Sequence, residues 1–167
     1  MTPFLILAVF PAALLIAAAN DLYEFKIPNW ISLTLIAAYI AGAAALNAPL
    51  QMAVEGLLVG GAALTIGFIL FALKVFGGGD AKLLAAIAPW IGAAGLMSFI
   101  INVAFAGGVL ALALILFRKT PALPIYAQAP WIMRLHSRPK DIPYAVAIAA
   151  GALLVLPQAQ MFAVYTG

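Results

Sequence analysis

The chain has no cysteine and a single histidine, His136, among 167 residues. Disulfides, cysteine nucleophiles and thiolate metal sites are thereby excluded. One histidine cannot build a zinc site without several carboxylates around it, and acids are scarce too, with five Asp and Glu in all. No metal and no cofactor is expected. Charge of either sign is thin: Asp, Glu, Lys and Arg make up 8% of the chain, against about 25% in a soluble domain. Apolar sequence fills the space, with 67% hydrophobic residues and a mean hydropathy of +1.18.

Apolar runs near the length of a bilayer crossing recur from end to end, so the chain reads as a polytopic membrane protein whose partner is the lipid bilayer. At these lengths only helices satisfy their own backbone in lipid, which makes the fold all-α, a bundle of about six transmembrane helices. The spans fall roughly at 3–20, 30–46, 53–73, 82–97, 98–117 and 142–163, and they leave room for one membrane-embedded domain over 1–167. The first segment has no basic n-region, and Asn20-Asp21 closes it without an A-x-A-like cleavage site. It is therefore read as a retained helix rather than a signal peptide.

Residues 82–117 form one apolar stretch, too long for a single ordinary span. Gly92 and Gly95, with Ala93-Ala94 between them, offer a place to turn. The fourth span is then short, about 24 Å for roughly 16 residues, and calls for local thinning or burial against neighbours. Charge supports the turn. With six spans and both termini outside, Lys26, Lys74, Lys82, Arg118, Lys119, Arg134, Arg138 and Lys140 all fall on the inner side. A single span over 82–117 would put the last five outside. The +3 net charge thus reports orientation, and no nucleic-acid partner is expected. The inner segment 118–141, with Pro121, Pro124, Pro130, Pro139 and Trp131-Ile132-Met133, reads as irregular or surface-lying.

Against this background Asp80 stands out. It follows Gly77-Gly78-Gly79 and precedes Ala81-Lys82, a carboxylate at an apolar edge where glycines let backbone approach. Asp21, at the end of the first span, lies on the same side. Two carboxylates meeting in a partly desolvated site share a proton. One then activates water while the other polarises a peptide carbonyl, chemistry that needs no metal, cysteine or serine. The alternative is that each is an interfacial helix terminus, with Asp80 an N-cap of the helix that follows.

Three blocks extend the pattern. Asp21-Leu22-Tyr23-Glu24-Phe25-Lys26-Ile27-Pro28-Asn29-Trp30 resembles the first-aspartate signature of type IV prepilin peptidases. Gly77-Gly78-Gly79-Asp80-Ala81-Lys82-Leu83 resembles their G-x-G-D signature, and Ile142-Pro143-Tyr144 the opening of their last helix. The blocks stand in the family's order. The resemblance implies an aspartic endopeptidase of the inner (cytoplasmic) membrane that removes the leader of prepilin precursors at the cytoplasmic face. These precursors carry a short basic leader followed by an apolar helix. Asp21 and Asp80 match the catalytic pair, and Gly77 and Gly79 match glycines that shape the approach to Asp80. Larger members carry an N-terminal domain with paired cysteines and also N-methylate the new terminus. This chain has neither the cysteines nor the room, so the resemblance is to the short, tight-adherence (Flp-type) form, without methyltransfer. The basic stretch after Asp21 is reduced to Lys26.

Other features carry structural expectations first. Pro28 and Asn29 before Trp30 read as a helix start, with a second role of holding the Asp21 loop near Asp80. Lys82 reads as a snorkelling interfacial cation beside the site. Asp141 before Pro143 reads as a helix cap, with substrate contact as an alternative. Glu24 reads as a solvated charge, with receipt of a positive leader as the alternative. Gly60-Gly61 and Gly107-Gly108 read as close helix packing. Two other function classes stay open on residues alone: a proton-coupled carrier, which needs acids near mid-membrane, and a scaffold subunit of a pilus assembly platform. Oligomeric state is not legible.

Overall fold

A computed structural model describes residues 2–121, 126, 128–138 and 141–166. Among them all regular structure is helical: α1 (Thr2–Glu24), α2 (Asn29–Ala45), α3 (Leu50–Ala72), α4 (Gly78–Lys119), α5 (Pro130–Ser137), α6 (Tyr144–Leu154) and α7 (Gln160–Thr166). A single 3₁₀ turn, Leu156–Gln158, joins the last two. Three stretches are long and apolar enough to cross a membrane, Leu7–Glu24, Leu50–Ala72 and Gly78–Lys119, and Asn29–Ala45 and Tyr144–Leu154 are shorter apolar helices.

The first three helices stop in the same way. A residue just past each end turns left-handed: Phe25 at φ 55° directly after α1, and Asn47 at φ 49° and Lys74 at φ 59° one residue beyond the C-caps Leu46 and Leu73 of α2 and α3. After α2 and α3 the next amide reaches back to the helix, Ala48 to Ala43 O and Val75 to Leu70 O, both at 2.9 Å. That pairing satisfies carbonyls a helix end otherwise leaves open. It keeps the connections short and forces neighbouring helices to run antiparallel.

The 42 residues of α4 contain one non-helical residue, Gly92, at φ 76° and ψ 169°. Positive φ is strained for a residue with a Cβ. A Cβ here would also collide with Gln160. The chain reverses at this point. Tyr144 stacks on Phe76 with ring centroids 5.6 Å apart, and a Cβ on Gly107 would sit 2.8 Å from the Tyr144 hydroxyl. A straight helix would hold residues 76 and 107 about 45 Å apart. The expected turn is therefore present. It falls at Gly92 rather than at the 97/98 boundary drawn from hydropathy, so the near half, 78–91, is only about 20 Å long.

The near half is the core of the bundle. Trp90 is fully buried, stacks on Phe10 at 4.9 Å and on Tyr39 at 5.9 Å, and donates its indole N–H to Leu35 O at 3.0 Å. α3 packs along it through glycines: a Cβ on Gly60 would meet Pro89 at 2.8 Å and one on Gly67 would meet Ala81 at 2.9 Å. The far half packs on α6, where a Cβ on Gly151 would strike Val103. Close packing holds for Gly60 and Gly107, while Gly61 and Gly108 have nothing within 4 Å and correct that expectation.

Two further expectations change. The span drawn over 142–163 is broken: α6 ends at Leu154, and Pro157, which cannot donate to a continuing helix, sits in the 3₁₀ turn. The segment 118–141 is not wholly irregular, since α5 lies within it. Arg118 braces this region, donating to Leu135 O at 2.8 Å and to Asp141 O at 2.6 Å. Pro124, Pro139 and Lys140 lie outside the described residues.

Candidate active site

Asp21 lies in the last turn of α1, where that helix packs on α6. It is 7% exposed and is the one buried charged side chain among the described residues. Burying a carboxylate demands hydrogen bonds in compensation. The backbone N–H of Ala145 supplies one, donating to Asp21 Oδ2 at 2.8 Å. Ala145 stands in the first turn of α6, whose N-cap position is Pro143, with no side-chain cap of its own. Asp21 thus caps α6 from another helix, and the positive end of the α6 dipole faces a negative group. This bond was not legible in the sequence. The nearest signal was Pro143, which has no oxygen in its side chain and leaves the cap to be supplied from elsewhere.

Asp80 is not the N-cap of α4. That position is Gly77, and Asp80 is the third residue of the helix. From there its carboxylate accepts the backbone N–H of Gly77, the return half of a capping box. The glycine is required by this approach, because a Cβ on Gly77 would lie 2.5 Å from Asp80 Oδ2. Gly79 is tight for a different reason, with its missing Cβ 3.2 Å from Ile27. Asp21 and Asp80 both line one cavity of about 680 Å³.

The same cavity gathers Pro28, Asn29, Gly77, Gly79 and Lys82, while Asp141 is not among its lining. It adds Glu24, Phe25, Lys26, Ile27 and Gly78. Pro28 is the N-cap of α2, the expected helix start. Lys82 Nζ donates to Asn29 Oδ1 at 3.0 Å, which ties α2 to α4 at the mouth of the cavity. Asp141 does not cap α6. Its carbonyl receives Arg118 and its carboxylate faces Arg138 at 3.4 Å in solvent. His136 is likewise remote, against Thr120 O at 2.9 Å. Among the described residues no group of three or more His, Cys, Asp or Glu converges on one point.

The cavity thus holds two carboxylates, each accepting a backbone amide at a helix N-terminus, Ala145 for Asp21 and Gly77 for Asp80. Gly77, Gly78 and Gly79 form part of the cavity wall beside them. Residues 8–112, which contain both aspartates, match the type IV leader peptidase family. No curated protein and no solved structure matches the chain. More than half of the sequence carries the family match, and the chain therefore belongs to the type IV leader peptidase family, a membrane-embedded leader peptidase of the aspartic type.

Proposed function

We propose that Asp21 and Asp80 are the catalytic pair, and that the chain cuts the leader from prepilin-like precursors at the cytoplasmic face of a bacterial inner membrane. The observation that supports this reading is that both aspartates line one cavity. One carboxylate takes a proton from water as the water attacks the scissile carbonyl. The other, protonated, hydrogen-bonds that carbonyl and then protonates the leaving amine. Asn29, Lys82, Gly77 and Gly79 shape and hold the cavity, and no cofactor enters the scheme.

Charge supports the cytoplasmic side. Lys26 and Lys82 line the cavity itself, and Arg118 is fastened to the segment that leads into α6. The end of the bundle that carries the aspartates also carries cations, as inner loops do. On this reading the chain crosses six times, with both termini outside. The acids sit at helix ends, which disfavours a carrier with mid-membrane ion ligands. The test is co-expression with small prepilin-like precursors: the wild type shortens the precursor, and Asp21→Asn and Asp80→Asn leave it full length while remaining in the membrane. Normal shortening by either variant rejects the assignment.

A further inference from the structure

α2 and α3 are joined by a tight turn yet do not pack along one another. They meet near that turn, where the Tyr39 hydroxyl donates to Met52 O and Ala53 O at 3.4 Å each. Farther along, both lean on the near half of α4 instead. The opening between them is a cavity of about 420 Å³ with Leu33 and Leu64 at its sides and Gly60, Gly61, Ala85 and Ala86 among its lining. A second cavity of about 300 Å³ shares Leu57 with it and carries it on to Leu50. Together they form one groove along the length of α2, about 25 Å for its 17 residues.

Three observations say what the groove takes. First, it ends in the catalytic cavity, since Asn29 and Lys82, joined to one another, line both. Second, its glycines and alanines let another backbone come close, as small residues do between helices in lipid. Third, the Ser32 hydroxyl on its wall is buried and finds no hydrogen-bond partner among the described residues. Ser32 stands one turn from Asn29, at the end nearest the aspartates. The first turn of a helix lying there would bring backbone N–H groups with no partner of their own.

Building on the leader-peptidase reading, we propose that the α2–α3 groove seats the apolar helix of the precursor. The first turn of that helix lies at Ser32, and the scissile segment runs out past Asn29 and Lys82 to the aspartates. The bilayer then delivers the substrate sideways, and the groove sets how far the cleavage segment reaches. A lipid chain in the groove is the competing occupant.

Gly61 lines the groove and has open space around it, so a leucine there fills the groove without displacing the fold. Gly108, on the far half of α4, has equal space and lies away from the groove. The measured quantity is the ratio of kcat/KM for a whole precursor to kcat/KM for a short peptide holding only the leader and the cleavage bond. Gly61→Leu is expected to lower that ratio about tenfold, and Gly108→Leu to leave it at the wild-type value. An unchanged ratio in Gly61→Leu overturns the groove and leaves the peptidase reading standing.

A second measurement does not depend on cleavage. The chain lacks cysteine, so single cysteines at Leu57 or Leu64, in an Asp80→Asn background, report contact with a cysteine in the precursor's apolar helix by disulfide formation. Cross-linking is expected there and not at the exposed Phe105 or Leu112. Equal cross-linking at all four positions marks general lipid-like contact and overturns the proposal. Cross-linking confined to the groove, with no cleavage by the wild type, keeps the groove and removes the peptidase reading.

Discussion

Asp21 and Ala145, 124 residues apart in sequence, are joined by a 2.8 Å hydrogen bond from the Ala145 amide to the Asp21 carboxylate. One acid of the proposed pair is therefore also the cap of a distant helix, and its two roles separate by substitution. Asp21→Asn keeps an oxygen for the Ala145 amide and is expected to lose at least about 10³-fold in processing with little loss of stability. Asp21→Ala removes the oxygen as well and is expected to cost about 1 kcal/mol more. Thermal unfolding in detergent, beside a processing assay, distinguishes the two. Equal stability of the two variants would show that the cap contributes nothing.

The glycines before Asp80 are not equivalent. A methyl group on Gly77 would lie 2.5 Å from the Asp80 carboxylate, and one on Gly79 would lie 3.2 Å from the side chain of Ile27. Gly77→Ala moves the proposed reacting group itself and is expected to lower kcat by about 10²-fold, as misplacement of a catalytic group does. Gly79→Ala presses on a flexible side chain and is expected to cost less than tenfold. The reverse order would count against Asp80 as a reacting group.

Lys82 and Asn29 tie α2 to α4 at the cavity mouth through one exposed hydrogen bond of 3.0 Å. Exposed contacts of this kind contribute about 1 kcal/mol or less. Lys82→Met and Asn29→Ala are therefore expected to leave the unfolding temperature nearly unchanged while reducing processing several-fold. The double variant should be no worse than the worse single one, because each removes the same tie.

Trp90 is the keystone beneath the site, fully buried between Phe10 and Tyr39 and bonded to Leu35 O. Trp90→Ala is expected to destabilise the bundle by about 3–5 kcal/mol. Trp90→Phe retains most of the packing and is expected to cost less than half as much, measured as a shift in unfolding under a denaturing detergent gradient.

Much of this architecture is legible in the residues. Hydropathy locates the first three helices to within a few positions, and Gly92 announces the reversal because no other residue type tolerates φ 76° so readily. Asp21 and Asp80 are conspicuous because acids are scarce in an apolar chain, and their surrounding blocks resemble a known family. Three-dimensional relationships are less accessible. The hydrogen bond from Ala145 to Asp21 links segments with no shared local pattern. The divergence of α2 from α3 depends on both preferring α4, a choice no single helix displays. The break at Pro157 was written in the sequence, but a strongly apolar flank on both sides concealed it from a hydropathy window.

The reversal at Gly92 also bears on how the chain enters a membrane. The 42-residue stretch Gly78–Lys119 begins with Asp80 and Lys82 and finishes with Arg118 and Lys119, and its interior carries no charge. Folded at Gly92, it leads with an uncharged turn and keeps its four charges together at the opposite end. An unfolded passage through lipid would drag charged groups across, at about 2.5–3.5 kcal/mol for each. Entering as a closed hairpin, the stretch leaves all four charges on the side from which it came, and no translocation of the proposed catalytic acid is required.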